Sequence, residues 1–171
     1  MSYHHQEIEQ KWQKIWEDSH IGQVDESISC DNALYYLIMF PYPSAAGLHV
    51  GHVESFAAID MLARMERMRG KNVLCPIGYD AFGLPAENYA IKTGIHPSIT
   101  TKQAIENFHI QMKSIGLSFD WSREISTADP TYYKWTQWMF LLFYKNGLAY
   151  RKKSPVNCCE KDQTVLANEQ V

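Results

Sequence analysis

No apolar run in this 171-residue chain approaches the length needed to span a bilayer. Its first residues, Met1-Ser2-Tyr3-His4-His5-Gln6-Glu7, lack the basic-then-apolar order of an export signal. Basic residues are not in excess. Lys plus Arg number 16 against 19 Asp plus Glu, for a net charge of −3, so no chain-wide positive field announces nucleic acid. Any RNA contact has to be local or to lie outside this chain. Cysteine is scarce and badly spaced for bridging: Cys30 and Cys75 stand alone, and the adjacent Cys158 and Cys159 cannot easily pair. There is no internal repeat and no low-complexity segment. These absences lead to the expectation of a cytoplasmic protein with no membrane partner.

What is present suits a packed domain. Apolar residues make up 46% of the chain, charged residues 20% and aromatics 13%, which is enough to build a core at this length. Residues 6–18 place Ile8, Trp12, Ile15 and Trp16 near helical spacing among Glu, Lys and Gln, predicting an amphipathic helix lying on something larger. Leu34 to Phe40 reads as a buried strand. Val53 to Arg69 reads as a helix that stops at Gly70, and Asn72 to Pro76 as a second strand. Strand, helix and strand in that order make a parallel βαβ unit. Further on, the spacing predicts a short helix over residues 85–92 and a longer one over 98–115, capped by Thr100 or Thr101. Phe119 to Ile125 reads as an irregular link. A helix over 130–145 follows, with Asp129 as its cap, Pro130 at its first position and an apolar face meant for a core. Leu148 to Asn157 reads as a strand leading into Cys158. The sum is an α/β chain, the first half of a doubly wound parallel sheet with flanking helices. Its pattern breaks off near Val171, giving the expectation of an N-terminal piece of a longer protein.

The chemistry concentrates between the first strand and its helix. Residues 41–52 read Pro-Tyr-Pro-Ser-Ala-Ala-Gly-Leu-His-Val-Gly-His. A strand, a small-residue loop and a helix N-terminus form a cradle for phosphate, because the first turn of a helix offers unpaired N–H groups at its positive end. His49 and His52 stand where two imidazoles can add donors to the same anion. Gly51 between them lets a flat base or a phosphate approach the backbone. In parallel sheets ligands sit beyond the carboxyl ends of the strands, which brings this loop beside residues 77–83. Asp80 is the single carboxylate between Pro76 and Pro85, and there it either makes a turn or pairs with an ammonium group. Met39, Phe40 and Tyr42 either bury apolar mass or line a small apolar ligand. Cys159 and Asp162 form Cys-x-x-Asp rather than Cys-x-x-Cys, and no metal ligand set is expected.

These residues resemble a known family. His49-Val50-Gly51-His52 is similar to the His-x-Gly-His signature of class I aminoacyl-tRNA synthetases. Residues 8–17, 76–87, 119–124 and 164–171 resemble the leucyl-specific members, so the likeness runs over nearly the whole chain. The chain departs from the family pattern at Ala45, Tyr79, Cys158-Cys159-Glu160 and Asp162. The resemblance implies a Rossmann-like catalytic domain in which leucine and ATP form leucyl-adenylate and the leucyl group passes to tRNA(Leu), with Mg²⁺ accompanying the nucleotide. It implies that His49, Val50, Gly51 and His52 bind ATP, with the two histidines acting in catalysis. Asp80 would pair with the leucine ammonium, and Met39, Phe40 and Tyr42 would surround the amino acid. The family's Lys-Met-Ser-Lys-Ser loop is not in this sequence, nor is its editing insertion, so the isolated chain is expected to charge tRNA little or not at all. A monomer is expected for the full-length form. The alternatives are the valyl, isoleucyl or methionyl relatives, or a non-catalytic nucleotide-binding fragment.

Overall fold

A computed structural model describes residues 3–43 and 47–171, so Ser44, Ala45 and Ala46 of the expected phosphate loop lie outside the described residues. The chain divides into two compact units, one running to Tyr133 and the other starting at Lys134.

The first unit is organised on the segment 72–80. Strand β1 (Ala33–Tyr35) and strand β2 (Asn72–Leu74) pair in parallel, with helix α2 (Val50–Met68) between them in sequence, as a βαβ unit requires. Strand β3 (Gly78–Tyr79) pairs in parallel with strand β4 (Ile125–Ser126). Loop hydrogen bonds extend both pairings. The Tyr36 N–H donates to Leu74 O at 2.9 Å and the Asp80 N–H to Pro41 O at 3.0 Å, tying 72–80 to 33–41. The carbonyls of Cys75, Ile77 and Tyr79 accept from Asp120, Ile125 and Thr127, tying the same segment to 119–127. Alternate residues of an extended chain present their backbone groups to opposite edges. The even-numbered bonds therefore go one way and the odd-numbered carbonyls the other.

Helices α3 (Leu84–Thr93) and α4 (Pro97–Ser114) connect β3 to β4. Phe56 and Ala63 of α2, Val73, Cys75, Ile77 and Tyr79 of the central segment, and Phe108 and Met112 of α4 make the core with Ile38, Leu117 and Phe119. Helix α1 (His5–Asp18) has no buried residue. It is fastened by Gln13 Nε2 donating to Ser114 O at 2.6 Å, by a Lys113–Glu17 ion pair at 2.7 Å, and by Trp16. The Trp16 ring lies under the Arg64 guanidinium, 4.5 Å from its centroid. It also lies against Gly116, where φ is +78° and a Cβ would stand 3.1 Å from the ring. That position ends α4 and accepts the aromatic only because it is glycine. Among the described residues no helix is long and apolar enough to cross a membrane.

A polar network locks α2 to the 116–118 turn. Buried Asp60 accepts from Arg64 Nε at 2.7 Å, from the Ser118 N–H at 2.7 Å and from the Ser118 hydroxyl at 2.6 Å. Arg67 reaches the Ser118 hydroxyl at 2.7 Å and the carbonyls of Gly22 and Val73 at 3.3 Å.

Several expectations are corrected. The buried strand over 34–40 shrinks to Ala33–Tyr35, because the chain leaves the ladder after Tyr36 and bends towards Pro41, leaving Leu37 exposed. Helix α2 begins at Val50 rather than Val53, since His49 itself serves as its cap. Helix α4 is capped by His96, whose Nδ1 accepts from the Ser98 N–H at 3.2 Å, and Thr101 is buried one turn inside. Ile125, the last residue of the irregular link, belongs to β4 with Ser126. The boundary between the units falls within helix α5 (Pro130–Lys145), where Asp129 Oδ1 accepts from the Thr131 N–H at 2.8 Å as expected of the cap. The core expected for α5 is not met: none of its residues is buried. In the second unit, residues 148–156 are not strand. The hairpin there is β5 (Asn157–Cys159) paired antiparallel with β6 (Thr164–Leu166), and Cys159 Sγ donates to Asp162 across its turn at 3.1 Å.

Candidate active site

The two histidines of the signature cap one another. The His52 N–H reaches His49 Nδ1 at 3.3 Å, and the His49 N–H reaches His52 Nδ1 at 3.3 Å. This is a capping box in which imidazoles replace the usual hydroxyl and carboxylate. The rings stack with centroids 3.7 Å apart and planes 17° from parallel. Both bonds are long, and the His52 N–H is shared with His49 O at 3.0 Å. Their chemical consequence is clear all the same. A neutral imidazole whose Nδ1 accepts carries its proton on Nε2. Each ring is thereby held as an Nε2–H donor at the positive end of a 19-residue helix.

His52 is half-buried against Phe56, at 5.8 Å, and Phe108, at 6.1 Å between ring centroids. This burial holds its pKa below the ordinary value, and the neighbouring His49 lowers it further. His49 and Val50 are exposed. Because the folded value of His52 is depressed, the neutral ring contributes stability in full above about pH 6.5. That contribution is lost as pH falls through the ring's own lower value. Thermal unfolding of the wild type and of His52→Ala between pH 7.5 and 5 is expected to show the gap in midpoint narrowing as pH falls. A gap that widens or stays constant would contradict this assignment.

Gly51 has a local reason to be glycine. A Cβ there would stand 3.1 Å from His49 Cε1 and 3.2 Å from its Nδ1, crowding the ring out of the cap. Gly51→Ala gains helix propensity of up to about 1 kcal/mol, so it is expected to leave stability nearly unchanged while weakening anion binding several-fold. Thermal denaturation and ligand titration on the same sample check both halves.

The two loops converge as expected, through the Pro41 O to Asp80 N–H bond. The Asp80 carboxylate lies near the Tyr42 hydroxyl, and its proximity and charge raise the phenol pKa above its usual value. The Thr127 hydroxyl accepts from the Ala81 N–H at 2.8 Å and lies 3.4 Å from Asp80 Oδ1, fixing the carboxylate from a second direction. Met39, Phe40 and Tyr42 are not core residues: all three are exposed, Met39 at 86%. They stand on the chain that leads from β1 to the Asp80 contact.

The supports of this site leave no mark in the sequence pattern. Thr127, 47 residues from Asp80, carries no motif. Tyr79 is buried beside Asp80 and donates to Glu124 Oε1 at 2.6 Å, while His109 Nδ1 meets the same oxygen at 2.9 Å. Burial, and then this carboxylate, push the Tyr79 phenol far up, so it acts as a donor and never as a base. Burial likewise pushes the Cys75 thiol up to about 11 and removes it as a nucleophile. Among the described residues no three His, Cys, Asp or Glu side chains gather as a metal site.

The chain is matched by the family model for class I tRNA synthetases (I, L, M and V) over residues 11–171. It is 57% identical over 171 residues to the leucine–tRNA ligase of Bdellovibrio bacteriovorus, which covers all of this chain and 21% of that protein. It is also 57% identical over 169 residues to the leucine–tRNA ligase of Thermotoga maritima, covering 99% of this chain and 20% of that one. A crystal structure of the Agrobacterium radiobacter K84 agnB2 LeuRS-tRNA-LeuAMS ternary complex superposes with a TM-score of 0.87 at 43% identity, over 99% of this chain and 22% of that chain. The chain spans about a fifth of the length of the curated relatives it matches.

Proposed function

The chain belongs to the class I tRNA synthetase family, and from that premise we propose that it supplies the histidine half of the ATP site of a leucine–tRNA ligase. The reaction is leucine activation. The leucine carboxylate attacks the α-phosphorus of ATP, a carboxyl oxygen–phosphorus bond forms, and the bond to pyrophosphate breaks. The leucyl group then passes to tRNA(Leu). The observation that carries this reading is the reciprocal imidazole cap, which leaves two Nε2–H donors at a helix N-terminus.

Donors held in place before reaction stabilise charge that develops on phosphate oxygens, without reorganising as it develops. Val50 and Gly51 add first-turn N–H groups. Asp80, steadied by Thr127 and Tyr42, is the carboxylate for the leucine ammonium, and Met39, Phe40 and Tyr42 are the side chains for the amino acid. Among the described residues no three His, Cys, Asp or Glu side chains gather into a resident magnesium site. Mg²⁺ would arrive on the nucleotide.

Leucine as substrate is supported by relatives named leucine–tRNA ligase at 57% identity. The other four-fifths of such a protein, absent from this sequence, would complete the site, and the full-length protein would be a cytoplasmic monomer. Amino-acid-dependent pyrophosphate exchange by the full-length protein tests the reading. Exchange driven by leucine, and not by valine, isoleucine or methionine, is expected. Exchange driven by another of the four would overturn the substrate assignment. Robust leucylation by the 171-residue chain alone would contradict the division of the site into halves.

A further inference from the structure

We propose that Gln111 of α4 is a positioning residue for the phosphate loop. It fixes the backbone just ahead of the first histidine, an assignment that rests on the nucleotide reading above. The Leu48 N–H donates to Gln111 Oε1 at 2.7 Å across 63 residues of sequence. Leu48 directly precedes the helix cap, where a backbone N–H has no helical partner of its own. Because the loop contributes a donor, the amide must turn its oxygen towards it, and its nitrogen falls beside Gly47. A Cβ on Gly47 would lie 2.5 Å from Gln111 Nε2 and 2.7 Å from Oε1. The amide therefore lies close against glycine backbone.

Phe108, one helical turn earlier on α4, is the residue that braces the His52 ring. Phe108 and Met112 are wholly buried, so the helix carrying Gln111 is held in the core. One rigid face of α4 thus holds both ends of the signature, with Gln111 at Leu48 and Phe108 at His52. The reciprocal cap closes the span between them.

Gln111→Met keeps the length of the side chain and removes the acceptor, while Gln111→Glu keeps an acceptor oxygen. In the 171-residue chain, Gln111→Met is expected to speed amide hydrogen exchange at Leu48 at least tenfold. It is also expected to weaken ATP binding by about tenfold, the equivalent of losing one hydrogen bond. The unfolding midpoint should stay within a few degrees. Gln111→Glu is expected to restore the protection of Leu48. Unchanged exchange at Leu48 in Gln111→Met would overturn the proposal, as would ATP binding that weakens only as far as the fold does. If the wild-type chain binds no ATP, the nucleotide reading fails, and the exchange at Leu48 still decides whether Gln111 holds the loop.

Discussion

Replacing His49 and His52 together by Ala is expected to lower leucine-dependent pyrophosphate exchange of the full-length protein by at least about 10³, on the scale of 10² to 10³ for one lost donor. The structure adds a sharper expectation. Each ring accepts the other's backbone N–H and stacks on it at 3.7 Å. Removing either one therefore frees the other from its tautomer and its place. The single replacements are expected to cost nearly as much as the double one, which is the non-additivity of groups that act as a unit. Two single losses that multiply to give the double would mean that the rings act independently. Exchange that survives the double replacement within tenfold would remove the histidines from the chemistry altogether.

The second large effect concerns the fold. Asp60→Ala is expected to destabilise the protein by about 3–5 kcal/mol, because it strips a buried carboxylate from an arginine and leaves two Ser118 donors without an acceptor. For a chain of this size that corresponds to a fall of roughly 10 °C in unfolding midpoint. Asp60 lies two turns beyond His52 on the same helix, so its contacts set how α2 sits on the 116–118 turn. Equilibrium unfolding in denaturant gives the value directly. A loss below about 1 kcal/mol would mean that Arg64 and Ser118 find other partners.

How much of this was legible in the sequence depends on the range of the contact. The parallel β1–α2–β2 unit, the cap at Asp129 and the meeting of the two loops followed from local pattern and from the geometry of parallel sheets. The histidines were legible as a spacing. Their cap was not, because an imidazole is not an expected N-cap, and sequence pattern alone places the helix start three residues later, at Val53. The apolar run over 34–40 suggests a longer buried strand than forms, because hydrophobicity alone does not report where a chain leaves its ladder. Helix α5 misled in the same way: its apolar spacing promised a core, yet every residue of it is at least partly exposed. Gln111, Thr127 and Glu124 were invisible for a different reason. Each acts through a contact 45 to 63 residues away, on a side chain that is unremarkable in its own stretch of sequence.

The fold holds both signature imidazoles with Nδ1 as acceptor and the proton on Nε2, ready to donate to phosphate. The ¹⁵N chemical shifts of the two rings in the histidine-labelled chain at neutral pH test it directly. A proton-bearing Nε2 and a bare, hydrogen-bonded Nδ1 are expected for both His49 and His52. A ring protonated at Nδ1, or one exchanging freely between tautomers, would contradict it.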